Sequence, residues 1–235
     1  MLSRIWHGAI AVLAVAALAL QLWIALRLPG TPPSTEVGRL AGATLTGRLL
    51  RMASFFTIQS NVLSAITSAQ LARDPDRDGP IWRVVRLDAL VGITVTGVVY
   101  STVLARIHEP KGWQQLSSNA AVHYVVPIMM VLGWLLFGPR PRITARVACW
   151  SLLFPFLWFG YTLVRGAITP WYPYPFVDVH THGYPRVLLT ALLVTLVLGA
   201  VSGLFWGRPH AASGVEHDGD RRDTRLGRQG ANDVR

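Results

Sequence analysis

Six stretches of the chain, residues 5–26, 52–72, 89–105, 112–139, 147–164 and 187–207, contain no Asp, Glu, Lys or Arg. Each approaches the roughly 20 residues that a helix rising 1.5 Å per residue needs to cross a hydrocarbon core of about 30 Å. Only 14% of the residues are charged, against about 25% in a soluble domain. The pattern predicts an all-α, polytopic membrane bundle of about six transmembrane helices, with spans at about 5–27, 52–72, 84–106, 118–138, 145–166 and 185–207. The runs lack the strict alternation of barrel strands. A seventh uncharged run, 166–177, is short and holds Pro170, Pro173 and Pro175, and reads as a loop. Residues 208–235 are rich in charges of both signs and poor in large apolar side chains, the composition of a disordered tail.

The first run carries an Ala17-Leu18-Ala19 sequence that imitates a signal cleavage site. Its length exceeds a signal core, and Trp6 and Trp23 stand near its ends as interfacial anchors, so it reads as a retained span. With six spans, 14 of the 22 basic residues fall on the side of the two termini. The excess places both termini in the cytoplasm of a cell membrane. Residues 28–51 then lie outside, with Leu40, Leu45, Leu49 and Leu50 among Arg39, Arg48 and Arg51 suggesting a partly helical segment on the membrane surface. A net charge of +10 reads as topology and attraction to membrane lipids. No nucleic-acid module interrupts the spans. Gly199, Gly203 and Gly207 recur every four residues in the last span, a stripe suited to packing within the bundle or, alternatively, to a homodimer seam.

The single cysteine, Cys149, excludes an internal disulfide and multi-thiolate metal chemistry, and reads as a small buried hydrophobe. No phosphate loop, dinucleotide fingerprint, HExxH or GxSxG elbow is present, and no cofactor is called for. One lysine against 21 arginines, with abundant Ala, Gly and Pro, suggests a GC-rich bacterial genome.

What remains is polar groups inside apolar spans, where they are expensive. Ser54, Thr57, Asn61, Ser64 and Ser68 recur at three and four, one stripe down the second span. Asn119 and His123 sit four apart in the fourth. Counted from Met52 and Ser118, Thr57 and His123 lie about five residues below the same surface, about 7–8 Å deep. A threonine hydroxyl becomes a nucleophile when a base takes its proton, and histidine suits that task near neutrality. Helix glue is the competing reading of the same residues.

The string Phe55-Phe56-Thr57-Ile58-Gln59-Ser60-Asn61 opens a set of ordered motifs. His123-Tyr124-Val125-Val126-Pro127 and Trp134 to Arg140 follow, then Arg165-Gly166 leading to Tyr172-Pro173-Tyr174-Pro175-Phe176-Val177-Asp178-Val179. Together they resemble the bacterial Pr-six-Pr membrane proteins over about residues 5–207. More distantly the arrangement is similar to the androgen-induced membrane threonine hydrolases, which split fatty acid esters of hydroxy fatty acids. That resemblance implies Thr57 as nucleophile and His123 as base. Asn61 or Asn119, each one turn from a proposed catalytic residue, is the candidate oxyanion donor. Asp178 is the candidate third member behind the histidine.

Two other readings compete. Asp178, His180 and His182 alternate, which in an extended segment aims them to one face, and with His123 or His108 they compose a zinc site for a metal-dependent hydrolase. A non-catalytic bundle or carrier is the third reading, although no inverted repeat supports transport.

Overall fold

The computed structural model describes residues 1–27, 43–138 and 143–206. Among these, all regular structure is helical. Helix α1 (Leu2–Arg27) is the first apolar run. Helix α2 (Leu45–Ser54) is capped by Thr44, whose hydroxyl accepts the Gly47 N–H. Helix α3 (Phe56–Arg73) follows after a single extended residue, Phe55. Gly79 at φ 138° and Pro80 at the first helical position turn the chain into α4 (Pro80–Thr102), the proline's missing N–H being one that no helix start uses. A 3-10 turn, Leu104–Arg106, ends that rod. Next come α5 (Gly112–Ala120), a π turn at Ala121–Val125 and α6 (Val126–Phe137), one continuous rod. Helices α7 (Ala145–Ser151) and α8 (Leu153–Ile168) are separated at Leu152. Helix α9 (Val179–Trp206) kinks at Gly183, φ 72°, just before Pro185.

The distribution of side chains is inverted relative to a water-soluble bundle. Leu188, Leu189, Leu192, Leu193 and Leu196 are exposed along α9, and Val12, Ile128, Leu136 and Leu157 on other helices. By contrast His7, Ser60, Asn61, Ser64, Thr67, Ser68 and Arg86 are fully buried. Apolar surface outside and polar groups inside is the arrangement that lipid as solvent selects. Five rods are long and apolar enough to cross a bilayer: Leu2–Arg27, Pro80–Arg106, Gly112–Phe137, Ala145–Ile168 and Val179–Phe205. The chain is a multi-pass α-helical membrane protein.

The predicted second span, 52–72, is the exception. Its helix proper begins at Phe56, and Thr57, Ser60, Asn61, Ser64, Thr67 and Ser68 leave it too polar to stand among the five. Instead α3 packs between α1 and α4. Helix α1 turns toward the interior a face that includes Ala11, Ala14, Ala17 and Ala25, small side chains that allow close approach. The apolar core beside it joins Ile10, Leu87, Leu90, Ile93, Val126 and Met130.

Other expectations are revised. Cys149 is exposed on the outside of α7 rather than buried. A Cβ at Gly199 or Gly203 would meet nothing within 4 Å, so among the described residues these two glycines pack against no other helix. Gly207, residues 28–42 and the tail 208–235 lie outside the described residues. Within the segment expected to be partly helical, residues 45–51 belong to α2, which runs on to Ser54, while Arg39 and Leu40 lie outside the described residues.

Candidate active site

Thr57 owes its position to the break at Phe55. With φ −69° and ψ 128°, Phe55 interrupts the helical ladder, and Gln59 ties the two pieces by donating from Nε2 to the Ala53 carbonyl, 3.0 Å away. Thr57 therefore stands in the first turn of α3, where backbone N–H groups lack intrahelical acceptors and the helix dipole is positive. Its N–H donates to the Tyr174 hydroxyl oxygen at 3.2 Å.

His123 owes its position to Pro127. A proline four residues on cannot donate to the His123 carbonyl, and its ring would clash there in an α-helix. The chain widens into a π turn, with the Val126 N–H reaching back five residues to Ala121, the kind of bulge that recurs at functional sites. Gly97 of α4 fits against the result: a Cβ there would lie 3.3 Å from the His123 carbonyl oxygen and 3.1 Å from Pro127 Cβ. Helix α4 thus carries Tyr100 onto the imidazole, rings stacked at 3.8 Å and 14°.

The structure brings Thr57 and His123 together, Oγ1 to Nε2 at 3.4 Å, both buried. That is long for such a hydrogen bond, as resting nucleophile and base pairs often are. On the other side of the ring, Nδ1 lies 2.9 Å from Asn119 Oδ1. An amide oxygen accepts only, so Nδ1 carries the proton and Nε2 presents its lone pair to the threonine hydroxyl. Tyr174 completes the set, its hydroxyl 3.2 Å from Thr57 Oγ1. The protons form one directed circuit: Tyr174 O–H to Oγ1, Oγ1–H to Nε2, and Thr57 N–H to the tyrosine oxygen.

Aromatic packing holds Tyr174. Its ring stacks on Phe176 at 5.2 Å and meets Phe55 edge-on at 5.6 Å, while Trp158 beside it donates to the Ser54 carbonyl at 2.9 Å. The Arg165-Gly166 pair serves the same loop. A Cβ on Gly166 would overlap the Tyr172 ring, and Arg51 and Arg165 both lie over Trp171, at 5.4 and 5.5 Å.

Two cavities meet at this point. One, of about 320 Å³, is bounded almost wholly by apolar side chains, among them Phe56, Val95, Phe156, Phe159 and Ala191. The other, of about 70 Å³, is mixed, with Gln21, His108, Gln115, Asn119 and His123 set among Ile24, Met52, Phe55 and Ile58. Thr57, Tyr174 and Leu104 line both. His108 is hydrogen-bonded through Nδ1 to the Tyr100 hydroxyl at 2.9 Å. Burial pushes its imidazole below the ordinary value, against the opposing effect of a hydrogen bond to Asn119.

The remaining candidates fall elsewhere. Asn61 spends both amide protons on backbone carbonyls, those of Thr57 at 2.9 Å and Val122 at 3.2 Å, so it ties α3 to the π turn and has no proton left for an oxyanion. Asn119 stands behind the histidine, the place expected for Asp178. Asp178 instead opens α9, accepting from the Thr181 N–H and hydroxyl. Residues 179–182 are helical rather than extended, so His180 and His182 are turned about 200° apart instead of sharing a face. Among the described residues no group of three or more His, Cys, Asp or Glu side chains converges on a point that a metal ion could occupy. Tyr174 and Tyr100 escaped the sequence reading, although the dense Tyr-Pro-Tyr-Pro-Phe string signalled a rigid aromatic loop. Comparison with protein-family models, with curated proteins and with solved structures gave no match.

Proposed function

We propose that the protein is an intramembrane threonine hydrolase of lipid esters, with Thr57 as nucleophile and His123 as base. The observation that carries the reading is the Thr57–His123–Asn119 alignment at the junction of an apolar cavity and a smaller, mixed one. At about 320 Å³ the apolar cavity falls within the roughly 300–1,000 Å³ of small-molecule sites and accepts an acyl chain. The resemblance to threonine hydrolases points to the same two residues.

In the proposed reaction His123 Nε2 takes the Oγ1 proton as Oγ1 attacks the ester carbonyl carbon. The Tyr174 O–H and the Thr57 N–H are the donors nearest the developing oxyanion. The tetrahedral intermediate collapses, the Nε2 proton passes to the leaving alkoxide, and an acyl-threonine remains. Water from the smaller cavity, beside Gln21, Gln115 and Asn119, then gives a proton to Nε2, attacks the acyl carbon, and releases the fatty acid as Oγ1 recovers its proton.

In this reading α3 is a sixth crossing packed between α1 and α4, with Val62 and Ile66 on its exposed face. Both termini are then cytoplasmic in the cell membrane and Thr57 lies near the external face. A fluorophosphonate probe tests the chemistry: it labels the wild-type protein in native membranes, and labelling vanishes in Thr57→Ala. Retained labelling in that variant removes Thr57 as nucleophile. Thiol labelling from outside intact cells tests the orientation: a cysteine at position 112 reacts and one at 141 does not.

A further inference from the structure

At the opposite end of α3 from Thr57, a second buried polar cluster holds a charge with no counter-charge. Arg86 of α4 has 0% exposure. Its Nη1 donates to Thr67 Oγ1 at 3.3 Å and touches the Met130 sulfur at 3.6 Å. Both are weak acceptors at those distances, and Thr67 passes its own proton on toward the Ser64 carbonyl at 3.4 Å. Nε and Nη2 are buried and meet no acceptor among the described residues. The only ion pair among those residues joins Arg83 to Asp78. Asp88, two residues along α4, lies about 200° round the helix.

The surroundings add donors, not acceptors. Trp82, one turn earlier on the same face of α4, has a buried indole N–H without a partner. His7 of α1 is fully buried against Gly133 of α6, and neither ring nitrogen has a hydrogen-bond partner among the described residues. Ser68 donates its proton to the Met130 sulfur at 3.3 Å. A guanidinium cannot shed its proton to escape burial, and an uncompensated buried charge is among the costliest features a fold can contain. Donors in excess, one fixed positive charge and no carboxylate together describe a receptor for an anion.

We infer that the Arg86 guanidinium, through its unpartnered Nε and Nη2, holds a small inorganic anion of chloride's charge and size within the bundle. Arg86 lines neither of the two cavities at Thr57, so a lipid headgroup or a chain-bearing carboxylate in those cavities does not reach it. Binding of the anion is independent of the threonine chemistry.

The test uses purified full-length protein in detergent. Melting temperature is measured in sodium chloride against sodium gluconate at constant ionic strength, and radioactive chloride binding is measured on the same sample. A ligand that binds only the folded state raises the melting temperature with its concentration. The expected result is a saturable rise in chloride, bromide acting like chloride, with one ion bound per chain. Arg86→Met abolishes the chloride dependence, and Arg86→Lys, which keeps the charge but loses the planar fork, moves the midpoint at least about tenfold higher. Equal melting in chloride and gluconate with no bound chloride overturns the inference in the wild type alone, whether or not either variant folds. Unchanged chloride dependence in a folded Arg86→Met protein overturns it as well.

Discussion

Replacing Tyr174 with phenylalanine removes one oxygen and leaves the ring. The stacking on Phe176 and the edge contact with Phe55 persist, so the loop keeps its packing. What is lost is the acceptor for the Thr57 N–H and the hydroxyl 3.2 Å from Oγ1. Leaving one buried N–H unsatisfied costs about 1–3 kcal/mol of stability, and at this chain length each kcal/mol moves the melting temperature by about 2–4 °C. Loss of an oxyanion donor costs the transition state about 2.7–4 kcal/mol, a factor of about 10²–10³ in rate. The two effects separate cleanly when fluorophosphonate labelling is timed well below the melting temperature, where nearly all the protein is folded. Tyr174→Phe then labels about 10²–10³ times more slowly than wild type at equal folded fraction. Labelling at the wild-type rate, in a preparation where Thr57→Ala does not label, refutes the role of the hydroxyl and leaves the Thr57 N–H as the donor to investigate.

Thr57→Ala and His123→Gln each abolish turnover and the double variant is no worse, because neither group works alone; additive losses in a rate assay argue instead for two separate packing roles. Ala191→Trp fills part of the apolar cavity, so hydrolysis of a long-chain ester falls by about tenfold or more while a short-chain ester is turned over nearly as before. Equal losses on both esters place the acyl chain elsewhere. Gly166→Ala drives a methyl group into the Tyr172 ring and lowers stability by about 1–3 kcal/mol, read by thermal denaturation in detergent. Because Tyr172 and Tyr174 share a loop, labelling slows in the same variant.

Long uncharged runs made the membrane bundle legible, because lipid imposes length and apolarity on each crossing. The same rule counts α3 as a crossing, although its residues, apolar enough to join such a run, are too polar to stand among the five rods. The polar stripe was the better signal there, since a line of hydroxyl and amide groups demands a protein environment. Thr57 and His123 were matched by depth from rims at Met52 and Ser118, whereas their helices begin at Phe56 and Gly112. Their contact depends on two local distortions instead. One, the π turn, has a visible cause in Pro127. The other, the break at Phe55, has no glycine or proline to announce it, and a two-phenylalanine string gives no local punctuation. Asn119 was legible as a turn-neighbour of His123, but its task was not, because which side of an imidazole an amide meets is a matter of three dimensions. Tyr174 lies 117 residues from Thr57 along the chain, and no sequence period connects them.

The sandwiching of α3 between α1 and α4 also bears on how the chain is made. Residues 56–73 offer the insertion machinery a segment in which Thr57, Gln59, Ser60, Asn61, Ser64, Thr67, Ser68 and Gln70 all resist partitioning into lipid. In the proposed six-crossing reading, such a segment enters the bilayer as a passenger of its neighbours, held against α1 already present and against α4 still emerging from the ribosome. Quality control therefore acts on the α1 and α4 seams before any catalytic group is assembled. Substituting Ala11 or Ala14 with a bulky residue would register first as chains degraded during synthesis, in cells where the surviving molecules work normally.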